Sequence, residues 1–95
     1  MKHFTYLASS NAPGNKLQRE ALAFLQSKSN LLIDDVDAFV KDLKNEIDVL
    51  NIENPKCRPL KLSTYGTGAT SVGIFLGETY TVGFHIYPVK EENNA

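Results

Sequence analysis

The spacing of apolar residues changes period once along this chain, and that change restricts the fold more than any other feature. Val36, Phe39, Val40, Leu43, Ile47 and Leu50 recur every three or four residues and draw a single apolar stripe, the mark of an amphipathic helix. Beyond Pro55 and Pro59 the repeat becomes two. Leu60, Leu62 and Thr64 alternate with Lys61, Ser63 and Tyr65, and alternating runs over 70–76 and 79–89 follow. Helical segments followed by a run of strands predict an α+β fold.

The remaining elements follow from local chemistry. Asp34 can cap the stripe-bearing helix, Asp35 and Asp37 put negative charge in its first turn, and Pro55 ends it. Upstream, Leu17, Ala21, Phe24 and Leu25 fall at helical spacing behind Asn15 as N-cap, with Gln18 in the capping-box place, so a first helix runs to about Lys28. Residues 2–8 read as a strand, with Phe4, Tyr6 and Ala8 on one face and His3, Thr5 and Leu7 on the other. The predicted order is β-α-α-β-β-β. It forms a four-stranded, mainly antiparallel sheet with two helices packed on one face. A single domain over 1–90 and a polar, disordered tail over 91–95 account for all 95 residues.

The last hairpin poses a register problem. A two-residue Gly77-Glu78 turn of the II′ type pairs Leu76 with Thr79 and Phe75 with Tyr80. Directly paired residues share a face, so this register sets Val72, Ile74 and Leu76 opposite in facing to Tyr80, Val82, Phe84 and Ile86. A three-residue turn or a bulge exchanges the faces and unites the two apolar sets. Both registers leave apolar or aromatic side chains on the face away from the helices. In the bulged register that face carries Phe75, His85 and Tyr87, with Tyr65, Lys61 and Ser63 from the preceding strand. Two helices cover one face of such a sheet, so the other presents a candidate interface.

Charge narrows the partner. Ten Lys and Arg against 11 Asp and Glu leave a net charge of −1, without the basic excess of a polyanion binder. A chain of this length forms one core and has no room for a deep cleft between lobes. Cys57, the only cysteine, supports neither an intrachain disulfide nor a thiolate zinc site. The N-terminus lacks the apolar stretch of a secretion signal, and uninterrupted apolar runs such as Leu31-Leu32-Ile33 are far too short to span a bilayer. A cytoplasmic location without a membrane partner is expected.

No convergent catalytic set stands out. His3 and His85 meet only if the first strand neighbours the last. Asp34, Asp35 and Asp37 diverge by about 100° per residue on a helix and serve as caps. Gly66-Thr67-Gly68 precedes a strand, whereas a phosphate-binding glycine loop precedes a helix. Leu7-Ala8-Ser9-Ser10-Asn11, followed by Lys16, Leu17 and Glu20, resembles the opening of the inosine-triphosphate pyrophosphatase and Maf families over about fourteen residues. The resemblance implies a phosphate site at 9–16. The chain is about half the size those folds require, and their acidic metal ligands have no counterpart here.

The expectation is a non-enzymatic protein-binding or regulatory module, with no catalytic residue, metal or cofactor, of the kind phages and mobile elements use as accessory or inhibitor proteins. Its candidate interface is Lys61, Tyr65, Phe75, His85 and Tyr87, with the acidic helix residues Asp35, Asp42, Glu46 and Asp48 as a second surface. The partner is another protein, or a second copy meeting it by sheet face or sheet edge. Two alternatives remain: single-stranded nucleic acid stacked on the open sheet, with Lys61 and Lys2 facing phosphates, and a phosphate or nucleotide held by the 9–16 loop.

Overall fold

A computed structural model of the chain describes residues 2–65 and 70–89. In order these are β1 (His3–Ser10), α1 (Lys16–Ser27), β2 (Leu32–Ile33), α2 (Val36–Glu53), β3 (Leu60–Tyr65), β4 (Thr70–Leu76) and β5 (Thr79–Pro88). All pairings are antiparallel, in the spatial order β2-β1-β5-β4-β3. The α+β class holds, but the sheet has five strands rather than four. The expected 66–68 turn and 91–95 tail lie outside the described residues.

The additional strand is β2, too short to leave a periodic trace in the sequence. Asn30 takes a left-handed φ of 63° after α1 and turns the chain back beside β1. Buried Thr5 then fixes the return. Its hydroxyl donates to the Lys28 carbonyl (2.7 Å) and accepts from the Leu31 N–H (2.9 Å). Its own carbonyl accepts from the Asn30 N–H (2.7 Å), and its N–H donates to the Leu31 carbonyl (2.9 Å). One threonine thus satisfies a helix end and a tight turn that would otherwise bury unpaired backbone groups.

Each helix begins on a side-chain cap. The Asn15 side chain accepts from the Gln18 N–H at 2.8 Å. The Gln18 side chain reaches back to the Gly14 N–H (2.8 Å) and donates to Thr81 Oγ1 on β5 (3.1 Å), joining the start of α1 to the sheet. On α2 the cap is Asp35, which accepts from the Ala38 N–H at 3.0 Å; Asp34, the expected cap, lies one residue too early. Asp34 instead forms an exposed ion pair with Lys2 at 2.9 Å.

The second hairpin contains both features that the sequence left as alternatives. Leu76 pairs with Thr79 and Phe75 with Tyr80 across a two-residue turn, in which Gly77 adopts the φ of +63° that a II′ turn needs. The register then shifts, so that Ile74 pairs with Val82 and Thr81 becomes an extra residue in β5. Past this bulge Val72 and Ile74 share a face with Val82, Phe84 and Ile86. These five pack with Leu17, Ala21 and Leu25 of α1, and with Leu43, Ile47 and Leu50 of α2, in one core. Phe39 of α2 stacks on Phe84 with centroids 6.0 Å apart. A further bulge at Ala8 in β1, between Leu7 opposite Phe84 and Ser9 opposite Gly83, matches β1 to the irregular β5.

Replacing Thr5 by Val keeps the shape of the side chain and removes the hydroxyl, leaving the Leu31 N–H and Lys28 carbonyl without this partner. Urea unfolding is expected to show a loss of about 1–3 kcal/mol. An unchanged midpoint would mean that the turn satisfies itself in another way.

Candidate functional site

Register determines what the sheet shows on the face away from the helices. Tyr65, Ser71, His85 and Tyr6 form a row across β3, β4, β5 and β1. On one side of it lies the row Ser63, Gly73, Gly83 and Ser9, and beyond that Lys61, Phe75 and Tyr80. On its other side Tyr87 pairs with Phe4, and Phe4 with Leu32. The expected Lys61, Tyr65, Phe75, His85 and Tyr87 therefore lie on one surface. The structure adds Phe4, Tyr6, Tyr80 and Leu32 to them. Tyr6, Tyr65, Tyr87 and Leu32 are 47%, 53%, 43% and 63% exposed, so no part of the described chain covers the surface.

The paired glycines leave room for aromatic side chains to pass over the backbone. A Cβ on Gly73 would meet Phe75 Cε1 at 2.7 Å and the Tyr65 hydroxyl at 3.0 Å, and one on Gly83 would overlap the Tyr80 hydroxyl. Here a bare backbone is needed because side chains from neighbouring positions already occupy the space above it. Phe75 and Tyr80 meet edge to face at 5.8 Å, and the Tyr80 hydroxyl bonds Ser9 Oγ at 2.6 Å. Beside them His85 Nδ1 bonds Ser71 Oγ at 2.8 Å, with the Tyr87 ring 5.7 Å away. Among the described residues, the centre of the face thus has internal polar contacts and no carboxylate. Its charged groups stand at the margins: Lys61 on β3, and the Lys2–Asp34 pair beyond β1 and β2. Lys2, hydrogen-bonded to Asp34, holds that carboxyl below the usual carboxylate range.

His3 pairs with Ile33 and Pro88 on the helix side of the sheet, opposite in facing to His85, so the two histidines do not meet. His3 Nδ1 is buried without a hydrogen-bond partner. Among the described residues no three His, Cys, Asp or Glu side chains gather as a metal set. In the 9–16 loop the polar groups are largely occupied. Ser9 bonds Tyr80, Asn11 Nδ2 donates to the Tyr80 carbonyl (2.7 Å), the Asn11 N–H donates to the Thr81 carbonyl (2.8 Å), and Gly14 and Asn15 close the start of α1. This loop latches β1 to β5, and Lys16 projects into solvent.

The acidic candidates take different places on α2. Asp35 is a cap. Asp42 and Glu46 line an open groove of about 330 Å³ between the helices, with Phe24, Lys28, Asn45 and Val49. Asp48 points about 200° around α2 from Glu46 and lies outside it. Among the described residues no helix is long and apolar enough to cross a membrane.

No protein-family model, curated protein or solved structure matches this chain.

Phe4, Tyr6 and Tyr80 escaped the sequence reading for separate reasons. Alternation placed Phe4 and Tyr6 together, but only pairing with β5 decides which face of β1 turns outward. Alternation groups Tyr80 with Val82, Phe84 and Ile86, and the bulge that separates them has no signal in it.

Gly83→Ala is expected to cost about 1–3 kcal/mol by forcing the Tyr80 hydroxyl off Ser9. In a Tyr80→Phe background the same change should cost less than half as much. Equal costs in a double-mutant cycle would mean that the hydroxyl is not what fills the space. For Asp34 the lowered pKa means that any stability from the Lys2 pair is present above the ordinary carboxylate pKa and lost as pH falls through the lowered value. Lys2→Ala should raise the Asp34 titration midpoint, followed by carboxyl NMR, into the ordinary range; an unmoved midpoint would exclude Lys2 as the cause.

Proposed function

We propose that this chain is a non-catalytic protein-binding module of regulatory or accessory type that docks a partner protein through the aromatic outer face of its sheet. The observation that carries the reading is the composition and placement of that face. Phe4, Tyr6, Phe75, Tyr80, His85 and Tyr87 lie on its inner strands β1, β4 and β5, Tyr65 stands with Lys61 on the edge strand β3, and among the described residues charge is confined to the edges. Aromatic enrichment with charge depletion at the centre is the compositional signature of protein interfaces. Tyrosines anchor such contacts because they bury a large ring while the hydroxyl keeps a polar partner. The face is also built to hold its shape: Ser9–Tyr80 and Ser71–His85 fix the ring orientations before anything binds, which lowers the ordering cost of docking.

Nucleic acid is the weaker fit. Lys2, one of two lysines expected to face phosphates, is engaged with Asp34, leaving Lys61 as the unpaired cation of the described face. A single phosphate contact is little against the several that drive such binding.

Affinity capture from the native source with wild type, Tyr6→Asp/Tyr87→Asp and Asp42→Lys/Glu46→Lys tests the reading. A partner held by wild type and by the helix variant, yet lost by at least tenfold in the sheet variant at unchanged melting temperature, is expected. Loss in the helix variant alone would transfer function to the α1–α2 groove. Tight, salt-dependent binding of a single-stranded oligonucleotide, abolished by Lys61→Ala, would replace the protein reading with the nucleic-acid one.

A further inference from the structure

The sheet ends on β3, and this edge has an unusual finish. The Asn51 side chain on α2 donates from Nδ2 to the Leu60 carbonyl (2.9 Å) and accepts the Leu60 N–H at Oδ1 (2.8 Å). It thereby occupies both backbone groups of one residue, as a neighbouring strand would. The arrangement also reveals the phase of the strand. The N–H and C=O of one residue point to the same side, and successive residues alternate. Since Leu60 points outward, Leu62 and Thr64 point outward too, while Lys61, Ser63 and Tyr65 bond to β4. No described residue bonds to the outward groups of Leu62 or Thr64. The strand contains no proline and no bulge, and Lys61 is its only charged side chain. Among the described residues no other device that normally protects such an edge is present. At the opposite end of the sheet, β2 protects itself by its two-residue length.

We infer that β3 is a self-pairing edge, where a second copy of this chain adds its own β3 antiparallel about a twofold axis through Ser63. This register is selected by what the strand presents. With Ser63 opposite Ser63 of the second copy, each Leu62 exchanges backbone hydrogen bonds with the other copy's Thr64, and every outward group left open by Asn51 finds a partner. The Asn51–Leu60 contacts remain intact and mark where the added strand must stop. On the outer face Lys61 then lies directly opposite the other copy's Tyr65, and Tyr65 opposite the other Lys61. The one cation on the strand thus meets an exposed aromatic ring instead of its own copy, and cation–π attraction replaces like-charge repulsion. Centring the axis on Leu62 would oppose Thr64 to a Leu60 whose backbone is already occupied. The sheets of the two chains would become continuous, setting two aromatic faces side by side. The pairing uses backbone groups at the edge and does not depend on what docks on the face.

Sedimentation of the full chain at about 100 μM should give a dimer. Thr64→Pro removes one outward N–H and no β3–β4 bond, and should give single-chain mass while matching the wild-type melting temperature at dilutions where the wild type is also a single chain. In a Cys57→Ser background, Ser63→Cys should oxidise to a disulfide-linked dimer, since opposed residues at a non-hydrogen-bonded antiparallel site lie about 4.5 Å apart, within disulfide range. Lys61→Cys in the same background should stay reduced, because it faces Tyr65. A wild-type monomer, a dimeric Thr64→Pro variant, a reduced Ser63→Cys variant, or cross-linking of Lys61→Cys at the same rate would each overturn the proposal. Tyr6→Asp/Tyr87→Asp leaves this edge untouched and should remain dimeric, so failure of the face reading and failure of the edge reading are separable.

Discussion

The extra residue at Thr81 in β5 decides which side chains become core and which become surface. Without it the tight Gly77-Glu78 turn would carry Val72 and Ile74 to one face, and Val82, Phe84 and Ile86 to the other, dividing the apolar set between helices and solvent. With it, all five join the helices, while Phe75 and Tyr80, on the turn side of the shift, stay together on the outer face. Thr81 is buried and bonded to Gln18, which also closes the start of α1. The bulge, the helix cap and the helix–sheet junction are thus one connected contact, and a side-chain amide at position 18 serves all three.

The outer face follows from the same irregularity. Because Tyr80 precedes the bulge, its ring folds back across the sheet toward Gly83 and reaches Ser9, on the bulged end of β1. Phe75 and Tyr65 close over Gly73 in the same manner. Glycines that would weaken an ordinary strand become the floor on which aromatic rings lie. The result is an aromatic surface with preset ring positions, bounded by Lys61 at one edge and by Lys2 with Asp34 at the other. The α2 helix contributes to both layers. Its stripe fills the core, and Asn51 closes the first residue of the edge strand.

Much of the architecture was legible in the residues. Periodicity located α2 and the three C-terminal strands because each buries one face along a regular repeat, and the repeat survives in the order of the chain. Asn15 with Gln18, Pro55 and Gly77 marked boundaries through their own backbone chemistry. Lys61, Tyr65, Phe75, His85 and Tyr87 were recoverable as one surface because they share alternation within β3, β4 and β5. The failures have equally local causes. Asp34 and Asp35 both have capping side chains, and which of them caps depends on where the helix starts: with Val36 as its first residue, Asp35 is the one that reaches the Ala38 N–H. At 9–16 most polar groups of the loop bond to Tyr80, Thr81 and the start of α1, a use that residue types alone do not reveal.

Taken alone, the sequence determined six of the seven elements (all but the short β2) and their order, the apolar stripe of α2 and the surplus of aromatic side chains beyond what two helices cover. These depend on interactions within a few residues, or on a period that one segment carries by itself. Tertiary structure decided the rest: the place of β1 between β2 and β5, the separation of His3 from His85, the coexistence of tight turn and bulge, and the assignment of Phe4, Tyr6 and Tyr80 to the outer face. Each of these depends on which strand lies beside which, and neighbours distant in sequence leave no trace in local spacing. A strand's alternation says which residues share a face. Only its pairing partner says which way that face points.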